Sequence, residues 1–149
     1  MEVNVEETKK DFSWKRYLVL VILSEIITII FTTKICLDTR NSNDLSGLTV
    51  LPIWIVNGLI FFILSLVKII KYKLSKNNEG KIIANVANVF VAIISSIMIN
   101  IGVYFINLSI YVFIDMGIDF NLFFTEIGFV IFYLAIGIAL IFPIFKLKE

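Results

Sequence analysis

The sequence predicts an all-α integral membrane protein: four transmembrane helices in a bundle, with both termini cytoplasmic. Three observations carry this reading. Hydrophobic residues make up 59% of the 149-residue chain and charged residues only 17%. Ordinary soluble domains are roughly 45–50% apolar and about 25% charged, and a soluble fold of this size cannot hide so much Ile, Leu, Val and Phe. The mean hydropathy is +0.96. Apolar residues also gather into four long runs with short polar connections, the pattern of a multi-pass chain.

Residues 1–16 form a polar segment of interleaved Glu, Asp, Lys and Arg, able to lie as an amphipathic helix on a membrane surface with Phe12 and Trp14 dipping into it. The leader is too long and too acidic for a cleavable signal peptide, and no small-x-small site follows the apolar run. It reads as an anchor that stays. Residues 17–149 then form one four-span domain.

The first span covers 17–37. Trp14 and Tyr17 mark its start, where amphipathic rings favour the headgroup level, and Lys34 is close enough to the far end to snorkel. A turn-rich stretch, Asp38 to Thr49, connects it to a second span at 50–72. There Pro52 falls in the first turn, where a missing N–H costs nothing, and Lys68 and Lys71 close the helix favourably. The third run, 82–114, is about 50 Å long as a helix, against a hydrocarbon core of about 30 Å. It must tilt, bend near Gly102 or project beyond the bilayer. A short turn leads to the fourth span, 122–145, with Pro143 in its last turn.

Orientation follows from the basic residues of short loops. Lys9, Lys10, Lys15 and Arg16, the connection at 71–81, and Lys146 with Lys148 all fall on one side of a four-span chain. The other side has Arg40 and Lys34, with Asp38, Asp44, Asp115, Asp119 and Glu126. The basic side is assigned to the cytoplasm, which places the protein in the cell membrane with both termini inside.

Glu25 lies near the middle of the first span. A carboxyl group there must be buried against protein, face a water-filled cavity or be protonated. An acid at mid-span costs roughly 2.5–3.5 kcal/mol, while the span's Leu, Ile, Val and Phe together contribute roughly 4–8 kcal/mol, so the segment still inserts. At about 100° per residue, Glu25, Thr28, Thr32 and Cys36 share one face. Asn85, Asn88, Ala92, Ser96, Asn100 and Asn107 form a polar and small face on the third span, suited to interhelical hydrogen bonds. The expectation is that this face opposes the Glu25 stripe. Asn57 marks one side of the second span together with Lys68. The candidate polar site is therefore Glu25, Thr28, Thr32, Asn57, Asn88, Ser96 and Asn100. Its functional reading is a proton or cation site; its structural reading, slightly favoured, is an interhelical hydrogen-bonded anchor. Gly128, Ala135 and Ala139 form a small-residue face on the fourth span.

The stretch Ile22-Leu23-Ser24-Glu25-Ile26-Ile27-Thr28, with Thr32, Thr33 and Lys34 following, resembles the first span of the small multidrug resistance transporters. That family also has four short spans and an essential first-span glutamate. The resemblance covers this span only. The present chain is longer, its first connection is larger, and its second and third spans depart from the family's Gly- and aromatic-rich pattern. What the resemblance implies is that Glu25 is the proton and cation-substrate site of a dimer.

Other chemistry finds no residues to carry it. There is no His, no HExxH, no Cys pair, no Gly-rich phosphate loop and no nucleophile with a histidine base. The net charge of +1 does not suit a nucleic-acid binder. No enzyme activity, metal or cofactor is expected. The expected partners are the lipid bilayer and another membrane protein or further copies of the chain. The function the sequence favours is a non-catalytic subunit or interaction partner of a membrane complex. A small oligomeric transporter or channel using Glu25 is the alternative, and an immunity-type protein against a membrane-active toxin a second one.

Overall fold

The structure, a computed structural model, describes residues 14–39, 46–76, 82–115 and 120–147. The N-terminal segment to residue 13, and parts of the three connections, lie outside the described residues, as does the expectation of an amphipathic surface helix. The fold is all-helical: α1 (Trp14–Thr39), α2 (Ser46–Lys76), α3 (Ile82–Asp115) and α4 (Phe120–Phe145). All four are long and apolar enough to cross a membrane.

The helices exceed the sequence-derived spans at several ends. α2 begins at Ser46 and runs to Lys76, so Pro52 lies in the helix interior rather than in its first turn, and Lys68 lies well before the helix end. Polar terminal residues extend a helix at little cost once its apolar middle is packed, because each added residue makes one more backbone bond. α3 is one helix through Gly102.

Consecutive helices pair antiparallel. Glu25 meets Asn57 between α1 and α2, Asn100 meets Gly58 between α3 and α2, and Phe105 stacks on Tyr133 between α3 and α4. The chain therefore runs up-down-up-down, and Trp14 of α1 touches Phe145 of α4 at the same end. α3 is central: it packs on α1, α2 and α4, while α1 also packs on α2. The core draws on all four helices, including Tyr17, Phe61, Ile69, Ile99, Val103 and Ile141.

α3 and α4 cross at close range. A Cβ built on Gly102 would lie 2.8 Å from the Gly137 carbonyl oxygen, and one on Gly137 would lie 2.7 Å from that of Gly102. These glycines let two backbones touch. The expected small-residue face of α4 is instead turned outward: nothing lies within 4 Å of a Cβ at Gly128, and Ala135 and Ala139 are exposed. Small residues pack helices only where another backbone arrives, and α3 arrives at Gly137.

Hydroxyl groups along the buried faces mostly bond within their own helix. Thr28 and Ser96 donate to the Ser24 and Ala92 carbonyls at 2.9 and 2.7 Å. Ser65 and Ser109 donate to the Phe62 and Ile106 carbonyls at 3.0 and 2.8 Å. Satisfied in this way, they pack as small residues and need no partner on a neighbouring helix.

Candidate functional site

Glu25 sits where α1 packs on α2. The Asn57 side-chain amide donates to Glu25 Oε2 at 2.6 Å, and Asn57 Oδ1 accepts from Ser24 Oγ. One buried asparagine of α2 thus bridges two consecutive residues of α1. The antiparallel pairing makes this possible: Trp54, nearer the start of α2, donates through Nε1 to Thr32 Oγ1 at 3.3 Å, and Asn57, further along α2, meets Glu25 further back along α1.

The other carboxyl oxygen is different. Glu25 Oε1 is buried and has no hydrogen-bond partner among the described residues. Glu25 also lines a cavity of about 270 Å³. Val21 and Ile22 of α1, Phe61 of α2, Val103 and Ile106 of α3, and Ile138, Ile141 and Phe145 of α4 complete its wall. Every other lining side chain is apolar, so among the described residues Glu25 is the one polar residue lining a cavity bounded by four helices. At the end where Trp14 lies, Phe145 closes it and meets Trp14 edge to face, ring centroids 6.0 Å apart.

Of the residues singled out from sequence, Glu25 and Asn57 are in direct contact. Thr28, Thr32 and Cys36 are buried along the stripe, but Thr28 bonds its own helix and Thr32 serves Trp54. Asn100 donates to the Gly58 carbonyl at 3.0 Å, one residue along from Asn57. Ser96 is fully buried and bonds its own helix. Asn88 lies three turns, about 18 Å, from Asn100 along α3 and takes no part in the network. The expectation that the Asn-rich face of α3 opposes Glu25 is therefore corrected: the partner is Asn57 of α2, because α2 covers the stripe at Glu25 and α3 reaches it only across the apolar chamber.

Three residues of this region were not singled out from sequence. Ser24 lies about 100° from Glu25 around the helix, yet Asn57 is placed to reach both. Trp54 caps the Thr32 hydroxyl and packs edge to face on Tyr104 and Tyr111. Gly58 gives Asn100 its room: a Cβ there would lie 2.8 Å from Asn100 Oδ1. Lys68, expected at a helix end, is fully buried with its Nζ 5.2 Å from the centre of the Trp14 ring. No group of three or more His, Cys, Asp or Glu residues suited to a metal ion occurs among the described residues.

Comparison with protein-family models, with curated proteins and with solved structures finds no match.

Proposed function

We propose that the protein is an integral, four-span protein of the cell membrane, with both termini and the α2–α3 connection on the cytoplasmic face, and that Glu25 is a site for a proton or a monovalent lipophilic cation. The membrane reading is supported by the outward faces. Ile22, Leu23, Ile30, Phe90, Ile94 and Phe129 are each more than half exposed, and soluble monomers rarely expose contiguous apolar surface beyond a few hundred Å². The orientation is supported by Lys15, Arg16, Lys71, Lys73 and Lys146 gathering at the end of the bundle opposite Asp38 and Asp115, as the positive-inside rule requires.

The observation that carries the Glu25 reading is a buried, unpartnered carboxyl oxygen in a residue that lines an apolar cavity. Asn57 fixes one oxygen and leaves the other buried without a partner among the described residues. An ionised carboxylate held so attracts a cation or a proton, because a lone buried charge costs several kcal/mol, on the order of the whole span's surplus for insertion. An apolar wall with a single acid suits a cation that is itself partly apolar. The test is flux in liposomes reconstituted with purified protein. Glu25→Gln, which keeps the Asn57 bond, is expected to abolish proton-coupled movement of a lipophilic cation such as tetraphenylphosphonium. Wild-type flux that survives the substitution refutes the reading.

A second reading, a non-catalytic subunit packing on another membrane protein or on its own copies, is favoured by the Ser24–Asn57–Glu25 bridge. Such a bridge is what an interhelical anchor requires. On this reading Glu25→Gln is silent, and replacing Asn88 and Asn100 by Leu weakens co-purification of a second protein.

A further inference from the structure

We propose that a groove between α2, α3 and α4 at the basic end of the bundle is a binding site for an anionic phospholipid, with one acyl chain in the groove and the phosphate on Lys73. The proposal rests on the membrane reading above but not on any role of Glu25. The groove is a cavity of about 270 Å³, lined by Lys73 of α2, Val91, Ser95 and Met98 of α3, and Ala139 and Pro143 of α4, among others. It is distinct from the Glu25 chamber and lies on the other side of the α3–α4 pair.

Three features select the occupant. The first is size: a helix is about 10 Å across and does not enter a slot of this volume, whereas a single hydrocarbon chain does. The second is the direction of polarity. The wall descends from Leu147, past the end of α4, to Ile144 and then to Ala139, about 7 Å further along the helix, and is apolar except for Ser95 partway down and Lys73. Lys73 is half-buried and lies on α2 near the end where Trp14, Lys15, Arg16 and Lys146 lie. An ammonium group beside an apolar slot matches a lipid with a phosphate above its chains. The third is charge. No ion pair engages Lys73 among the described residues, and the basic end faces the leaflet that carries anionic lipid. Lys146, in the turn that follows α4, has its Nζ 5.0 Å from the centre of the Phe142 ring, which leaves Lys73 as the headgroup contact.

The experiment is native mass spectrometry of the full chain purified in detergent, with palmitoyl-oleoyl phosphatidylglycerol or phosphatidylcholine added. Wild type is expected to retain one phosphatidylglycerol in preference to phosphatidylcholine, undisplaced by inorganic phosphate. Lys73→Gln is expected to lower that retention about fivefold, the worth of one lysine near an anionic surface. Lys15→Gln makes the same charge change at an exposed position on α1 and is expected to leave it unchanged. Ala139→Phe fills the groove without altering charge and is expected to lose the lipid. Equal retention of the two lipids, equal effects of the two lysine changes, retention in Ala139→Phe, or displacement by inorganic phosphate each overturns the proposal. Recovery of the chain from cells without detergent overturns the membrane reading itself, so the two failures are told apart.

Discussion

Gly102 and Gly137 face one another across the α3–α4 crossing so closely that a Cβ on either would lie within 2.8 Å of the other's carbonyl oxygen. The obstructing atoms are backbone, which cannot swing aside. Gly102→Ala or Gly137→Ala must therefore push the helices apart, despite a gain in helix propensity of about 1 kcal/mol. Overpacking typically costs about 1–3 kcal/mol, and Gly137 is the worse site, since its Cβ would also lie 2.6 Å from Ile106 Cγ1. Gly128→Ala, in open space, is expected to be neutral or stabilising. Thermal unfolding of the three variants in detergent ranks them; a Gly137→Ala protein as stable as Gly128→Ala refutes the crossing.

Asn57 makes two hydrogen bonds across the α1–α2 contact. In Asn57→Leu, Ser24 Oγ and Glu25 Oε2 both lose their partner. Interhelical hydrogen bonds between membrane helices are worth about 0.6 kcal/mol on average and up to about 1.7, so the loss should fall between one and two such bonds. Glu25→Gln keeps an acceptor oxygen for Asn57 and should cost much less. Denaturant titrations of both variants decide this. Equal destabilisation shows that the carboxyl group itself, rather than its bond to Asn57, holds the helices.

Much of this was legible in sequence. Four apolar runs fix four helices, since each run is long enough to be helical whatever its neighbours do. The spacing of Thr28, Thr32 and Cys36 fixes a buried face on α1. Periodicity does not say which helix covers that face. α2 covers it because the antiparallel pairing sets Asn57 opposite Glu25, a relation between two segments that neither contains alone. The same limit applies to Gly137. Its outward neighbours Gly128 and Ala135 look equally suited to packing, and only the arrival of Gly102 distinguishes it. Asn88 belongs to the right periodic face of α3 but lies at the wrong height. Angular position on a helix is readable from residue number; axial register against another helix is set by packing.

Cys36 is the only cysteine and is buried near the far end of α1. A buried thiol reacts only when its surroundings open. Native protein should resist a membrane-impermeant maleimide, and labelling should appear in the same denaturant range as loss of helicity. Prompt modification of the native protein shows that α1 moves freely against α2 and α3, and that the stripe is not a packed interface.

Asn100 and Gly58 offer the sharpest test of the α2–α3 contact. The Asn100 amide donates to the Gly58 carbonyl at 3.0 Å, and its own oxygen occupies the space a Gly58 side chain would need. Gly58→Ala must therefore displace Asn100 and weaken that bond. Asn100→Ala removes the bond and also vacates the space. Each single change is destabilising, but in the double variant the new methyl group no longer meets Asn100. The combined loss should fall short of the sum of the singles by about 0.5–1.5 kcal/mol, the range for residues in direct contact. The alanine at position 58 also gains helix propensity once it is unobstructed, which enlarges the shortfall. A double-mutant cycle by denaturant titration measures it. Strict additivity shows that the two side chains do not share this space, and that α2 and α3 meet in another register.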